Sequence, residues 1–162
     1  MTGVEQHVVV EPDDGSHGPL LRVADDRLTP GESYGAHDHR AVDVVAVVLA
    51  GSLIHAWGDD AALAAGDVGV LRAGTGLRHD ERAGPDGARV LQCYLRAADP
   101  AVPASHEVIR DAAGWVELRR PDARLWLGLA EEPAPDGLVV TPEDSGTVLV
   151  WQVDAARPAW AD

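Results

Sequence analysis

Gly31-Glu-Ser-Tyr-Gly-Ala-His37-Asp-His39 and Gly74-Thr-Gly-Leu-Arg-His79-Asp-Glu81 decide how this chain is read. Each stretch ends in two ligand-type side chains separated by one residue. In a strand, side chains at i and i+2 leave the same face. His37 and His39 can therefore address one point, and so can His79 and Glu81. Two such doublets on neighbouring strands converge inside a barrel. Three neutral imidazole nitrogens and one carboxylate oxygen form a mixed site suited to one divalent ion of Fe, Mn, Ni, Cu or Zn. Seven histidines occur in the chain, so a single His-x-His pair would say little. The second doublet, at matching spacing behind the Gly74-Thr-Gly76 turn, is what makes four polar residues a candidate metal site.

Outward from these stretches the sequence runs in short apolar segments cut by turn residues. His7–Val10, Leu20–Ala24, Val42–Leu49, Leu53–Trp57, Val68–Leu71 and Arg89–Leu95 are read as strands. Val42–Leu49 is dense in valine, and β-branched side chains suit a pleated surface. The 17 glycines and 11 prolines favour turns over long helices. Turns about every ten residues predict an all-β sandwich or barrel, and 162 residues fit one domain. Past Asp99 the texture changes. Pro100–Pro103 reads as a linker, Glu107–Trp115 as one short helix, Glu131–Gly137 as a loop. Arg124–Leu129 and Thr147–Val153 read as further strands. The barrel is expected from about Leu20 to Leu95, with the segment after Trp115 adding outer strands.

Charge narrows the partners. The formal net charge is −14, and every basic residue is arginine. A nucleic-acid partner needs a basic face that displaces counterions, and an anionic membrane surface needs the same; neither is expected. No apolar run approaches the roughly 20 residues of a membrane-spanning helix. The start of the chain is polar and acidic, unlike a signal peptide, so the cytoplasm is the expected compartment. Cys93 is the single cysteine; it cannot form a disulfide within one chain and is read as a small packed hydrophobe.

The two stretches fit the cupin pattern: a glycine, five residues and His-x-His, then a second glycine-led segment ending in a histidine. More narrowly, His37-Asp-His39-Arg40 with Asp43, and Ala73-Gly-Thr-Gly-Leu-Arg-His79-Asp-Glu81, resemble the pirin branch of the cupins. Gly51-Ser-Leu-Ile-His55, Gly66-Asp67-Val68, Leu91-Gln92 and Pro103-Ala-Ser-His-Glu107 sit where pirin-like proteins have similar residues. The resemblance runs from about Gly31 to Glu107. It implies a single cupin (double-stranded β-helix, jelly-roll) barrel over residues 1–110. Residues 111–162 would then be a C-terminal extension packed on the barrel within the same domain. It also implies one metal ion per chain, Fe(II) favoured, on His37, His39, His79 and Glu81. Pirins usually carry two cupin domains, and this chain has room for one. It also has Asp38 where proline is favoured, Asp43 where glutamate is common, and Arg72 where many cupins have proline.

Four protein ligands on an octahedral ion leave two positions open. Pirin-like proteins are associated with quercetin 2,3-dioxygenase activity, so the resemblance implies a metal-dependent dioxygenase acting on a flavonol-like aromatic. The alternative is a metal- or redox-responsive protein-binding module without turnover. Leu53, His55, Trp57, Gln92 and Tyr94 are expected to line the pocket, with His55 or an unligated Glu81 as the base that takes a substrate hydroxyl proton. Asp43 shares strand parity with His37 and His39, and is read either as holding a ligand histidine or as a surface acid. A homodimer through the tail strands, using Trp126 and Trp151, would cover the site.

Overall fold

The computed structural model describes residues 3–11 and 17–154, and every helix or strand element among them is a strand. In chain order these are β1 (Val4–Val10), β2 (Leu20–Leu28), β3 (His37–His39), β4 (Val42–Ala56), β5 (Asp60–Ala64) and β6 (Val68–Arg72). Then follow β7 (Leu77–Arg96), β8 (Ser105–Ile109), β9 (Gly114–Val116), β10 (Ala123–Leu129), β11 (Leu138–Val140) and β12 (Thr147–Val153). An eight-stranded sheet runs β1-β2-β7-β4-β6-β8, with β3 added on β7 and β5 on β4. A four-stranded sheet runs β11-β12-β10-β9. Among these elements, no helix is long and apolar enough to cross a membrane.

Two long antiparallel strands organise the large sheet. β4 and β7 pair from Val42↔Arg96 to Ala56↔Asp80. The pairing steps from Gly51↔Ala88 to Leu53↔Ala83, so residues 84–87 of β7, Gly-Pro-Asp-Gly, bulge out of the ladder. That bulge divides β7 into two halves. The later half pairs β2, and the earlier half pairs β3. Gly51, which falls between two segments read as separate strands, instead carries the register shift in a strand that continues.

The valine run of β4 shows no polar alternation because both of its faces are buried. Val45, Val47, Val68, Val70, Leu91, Cys93 and Leu95 turn to one side and pack against Val116, Leu125, Leu127, Leu149 and Trp151 of the small sheet. Ala46, Val48, Val90, Ala88, Leu53, Leu63 and Leu28 turn to the other side and form a second core within the curve of the large sheet. The candidate ligands lie on that second, inner side. Two apolar layers on one sheet are the arrangement expected when sheets stack face to face.

Three expectations change here. Glu107–Trp115 is not a helix: it gives the end of β8, a turn and the start of β9. On β8, Val108 packs into the inner core and Ile109 into the outer one. That period of two lets the segment pair with β6 along its length, and ladder pairing with burial on both faces outweighs weak helical propensity. Trp151, expected to serve a dimer contact, is fully buried in its own chain. Asp43 neither touches a ligand histidine nor lies on the surface. It is buried and forms an ion pair with Arg120 at 3.0 Å. Strand parity did not carry from His39 to Asp43 because β3 ends at a turn through Ala41, whose φ is +56°.

Candidate metal centre

His37 and His39 stand on β3, and β3 pairs with the early half of β7 in the register His37↔His79. Alternation then puts His79 and Glu81 on one face of β7. The turn that aims β7 depends on Gly74. Its φ is +50°, and a Cβ there would collide with the carbonyl oxygen of Val102. The Gly74 carbonyl accepts from Ala41 N at 3.0 Å, tying this turn to the one that leaves β3.

The result is a triangle of imidazoles. His37 Nε2 lies 3.0 Å from His39 Nε2 and 2.9 Å from His79 Nε2. Ring centroids are 4.5 to 4.9 Å apart, all in edge geometry. His37 Nδ1 sits 2.6 Å from the Gly35 carbonyl oxygen. A carbonyl only accepts, so that nitrogen carries the proton and Nε2 presents a lone pair. Burial holds His39 below the ordinary imidazole range, with the His37 charge adding to it. Burial and then the neighbouring His37 push His79 down to about 3. Neutral imidazoles are the form a metal needs.

The donor set fits such an ion. With metal–nitrogen bonds of about 2.1 Å, adjacent ligands of an octahedron stand about 3.0 Å apart and those of a tetrahedron about 3.4 Å. The two observed edges match the octahedral value. Bare lone pairs at this spacing repel, and a cation among them removes the repulsion.

Glu81 follows two residues after His79 and is buried. Its Oε1 accepts from Gln92 Nε2 at 3.3 Å. His37, His39 and His79 form the three-residue cluster of donor atoms; Glu81 stands beside it, engaged by Gln92. Burial pushes the Glu81 carboxyl up to about 7, partly opposed by the Gln92 hydrogen bond. Gln92 and Tyr94 turn to the site side as expected, with the Tyr94 ring 6.0 Å from that of His39. Leu91, Cys93 and Leu95 turn to the outer core. Cys93 is fully buried, and burial pushes its thiol up to about 12.

His55 stands on the face that carries His79 and Glu81, next to the candidate ligand His79. Its Nε2 is 2.8 Å from His79 Nδ1, the nitrogen facing away from the triangle, and it is buried. Leu53 is likewise sealed in the inner core.

Sequence reasoning gave no role to three groups. Asp26 is completely buried and accepts from Tyr34 Oη at 2.7 Å and Gln6 Nε2 at 3.2 Å. Burial raises its carboxyl, against the Tyr34 hydrogen bond. An acidic pair ending an apolar run was the only signal. His106 stacks on His55 with centroids 3.8 Å apart. Arg120 joins the two sheets, and nothing in its local sequence sets it apart.

The family model described as Pirin matches residues 9–95, more than half of the chain. The chain belongs to the pirin family. A pirin-like protein of Caulobacter vibrioides is 30% identical over 88 residues, covering 52% of this chain and 38% of that one. A quercetin 2,3-dioxygenase of Escherichia coli is 27% identical over 120 residues, covering 70% of this chain and 52% of that one. This pirin chain thus spans about a third to a half of the length of the curated relatives it matches. Among solved structures, the bacterial pirin YhhW of E. coli in complex with nickel(II) superposes with a TM-score of 0.71 at 18% identity, covering 95% of this chain and 84% of that one. A quercetin 2,3-dioxygenase of Acinetobacter baumannii gives a TM-score of 0.60 at 17% identity, covering 93% and 78%. The all-β cupin fold of pirins is therefore shared by the whole arrangement, the small sheet included.

Proposed function

We propose that this pirin binds one divalent transition-metal ion through His37, His39 and His79, with Glu81 as the fourth ligand, and acts as a dioxygenase on a flavonol-like aromatic. The observation that carries the reading is the imidazole triangle, whose 2.9 and 3.0 Å edges suit an octahedral ion. Quercetin dioxygenases among the relatives and fold neighbours supply the substrate class, and the nickel(II) complex of a pirin neighbour supports a transition metal. Fe(II) is the favoured ion, because dioxygen chemistry calls for a redox-active metal.

When bound, the ion supplies Lewis acidity and open positions for a deprotonated hydroxyl and for dioxygen. The chain's own residues do the rest. Gly35 and His55 hold the outer nitrogens of His37 and His79, so both present Nε2. Gln92 orients the Glu81 carboxylate. Glu81, when not on the ion, is the base that takes the substrate hydroxyl proton, since its carboxylate lies on the site side, beside Gln92. The half-exposed His37 and His39 mark the side from which substrate enters.

A second reading is a metal-responsive protein-binding module. It is favoured by two clefts of about 490 and 510 Å³ that none of His37, His39 and His79 lines, one between β1, β2 and β11, the other beside Trp151 and Gly137. Oxygen uptake separates the two. Protein loaded in turn with Fe(II), Mn, Ni and Cu is supplied with quercetin or a catechol. Uptake that needs substrate and is lost in His79→Ala supports the dioxygenase. Tight metal binding with no uptake in any metal form refutes it and leaves the binding module.

A further inference from the structure

Two histidines outside the triangle, His55 and His106, stand behind its central member. His79 is the central member of the site, on the strand that β3 and β4 both pair. Its Nε2 faces His37 and its Nδ1 faces His55 Nε2 at 2.8 Å. A neutral imidazole has one proton for two nitrogens. For Nε2 to present a lone pair, Nδ1 must hold the proton and needs an acceptor. His55 Nε2 is that acceptor, which places the proton of His55 on its own Nδ1. Both rings are buried.

The plane of His55 must also be fixed, or its lone pair would swing away from His79. His106 does this from β8, the far edge of the large sheet. The two rings lie almost parallel, 16° apart with centroids at 3.8 Å. Space for His106 comes from Gly69 on β6: a Cβ there would stand 3.2 Å from His106 Nε2 and 3.0 Å from Leu63 Cδ2. The neighbouring Arg72–Glu107 ion pair, at 3.1 Å, holds β8 in register.

We propose that His55 and His106 are a positioning pair for the metal centre, His55 setting the tautomer of His79 and His106 setting the ring plane of His55. The proposal rests on the metal-binding half of the function above and not on its dioxygenase half. Partners that orient a ligand histidine are commonly worth 10–100-fold in metal affinity.

The test is Ni(II) affinity by chelator competition, together with imidazole ¹⁵N shifts of the metal-free protein, which report the His79 tautomer directly. In the wild type His79 should carry its proton on Nδ1. His55→Leu removes the acceptor; it should weaken Ni(II) binding by about 10–100-fold and give a mixture of His79 tautomers. His55→Gln, whose amide oxygen still accepts, should recover most of that loss. His106→Phe keeps a flat ring against His55 and should bind like the wild type, whereas His106→Ala should bind several-fold more weakly. Gly69→Ala, which crowds His106 and touches no ligand, should follow His106→Ala in direction. A folded His55→Leu with wild-type Ni(II) affinity and an unchanged His79 tautomer overturns the proposal, and so does His106→Phe falling as far as His106→Ala. Wild-type protein that binds Ni(II) but never consumes oxygen overturns the dioxygenase reading alone.

Discussion

Replacing Arg120 by methionine should destabilise the protein by about 3–5 kcal/mol, the cost of leaving a buried charge without its partner. The guanidinium is 2% exposed and makes four hydrogen bonds. Nε and Nη2 grip Asp122 at 2.6 and 2.8 Å, Nη1 reaches Asp43 at 3.0 Å, and Nη2 also donates to the Arg96 carbonyl at 2.9 Å. Asp43 lies on β4 and Arg96 on β7, while Arg120 and Asp122 lead into β10, so these bonds tie the two sheets together. Methionine fills most of the volume but supplies no donor. Asp43 is then a buried carboxylate with its main counter-charge gone. For a chain of this length, roughly 2–4 °C per kcal/mol gives a fall in Tm on the order of 10 °C. The pH dependence gives a second check. Burial already raises the Asp43 carboxyl, against the pull of Arg120; without Arg120 it rises further and takes up a proton more readily as pH falls. The deficit of the variant should therefore shrink as pH falls, and Asp43→Asn in the same background should recover part of it. Thermal and urea unfolding read all three proteins. A loss below about 1 kcal/mol, typical of an exposed ion pair, that changes with neither pH nor Asp43→Asn would refute this reasoning.

Other outcomes follow from the same structure. His106 is pushed down to about 4, mainly by burial and then by His55. A folded-state value below the ordinary 6.5 favours folding above pH 6.5, and that contribution is lost as pH falls from 6.5 to 4. Glu81, raised to about 7, works in the opposite direction between pH 7 and 4.5. Urea midpoints of metal-free protein measured from pH 7 to 4.5 should thus fall less steeply in His106→Gln than in the wild type; equal slopes would count against the buried neutral ring. Truncation after Asp111 removes the small sheet and bares the valine and leucine face of β4, β6 and β7, so the product should aggregate, and a soluble monodisperse fragment in gel filtration would contradict that. Gly74→Ala combines positive φ with a backbone collision; a loss of stability of at least about 1 kcal/mol is expected, together with weaker metal retention by elemental analysis.

The sequence alone determined the strand-rich class, the two ligand doublets and the pirin likeness. Each of these rests on local spacing: period-two side chains, glycine at turns, and ligand types two residues apart. Local spacing also misled. It carried strand parity through the Ala41 turn to Asp43, and it read Glu107–Trp115 as a helix, because nothing within that segment shows that β6 offers it an unpaired edge. It left His55 between a pocket residue and a core histidine, since alternation assigns a side chain to a face but not to a depth. What only the tertiary structure decided is which face meets which partner. The valines of β4 lie between two cores because the small sheet covers one side of the large one. Trp151 is interior for the same reason. His106, 27 residues beyond His79 in sequence, reaches the site only through the β6–β8 pairing. Arg120 finds Asp43 across 77 residues. Hydrogen bonds and ring contacts act over a few ångströms, and for residues this far apart in sequence only the folded chain sets that distance.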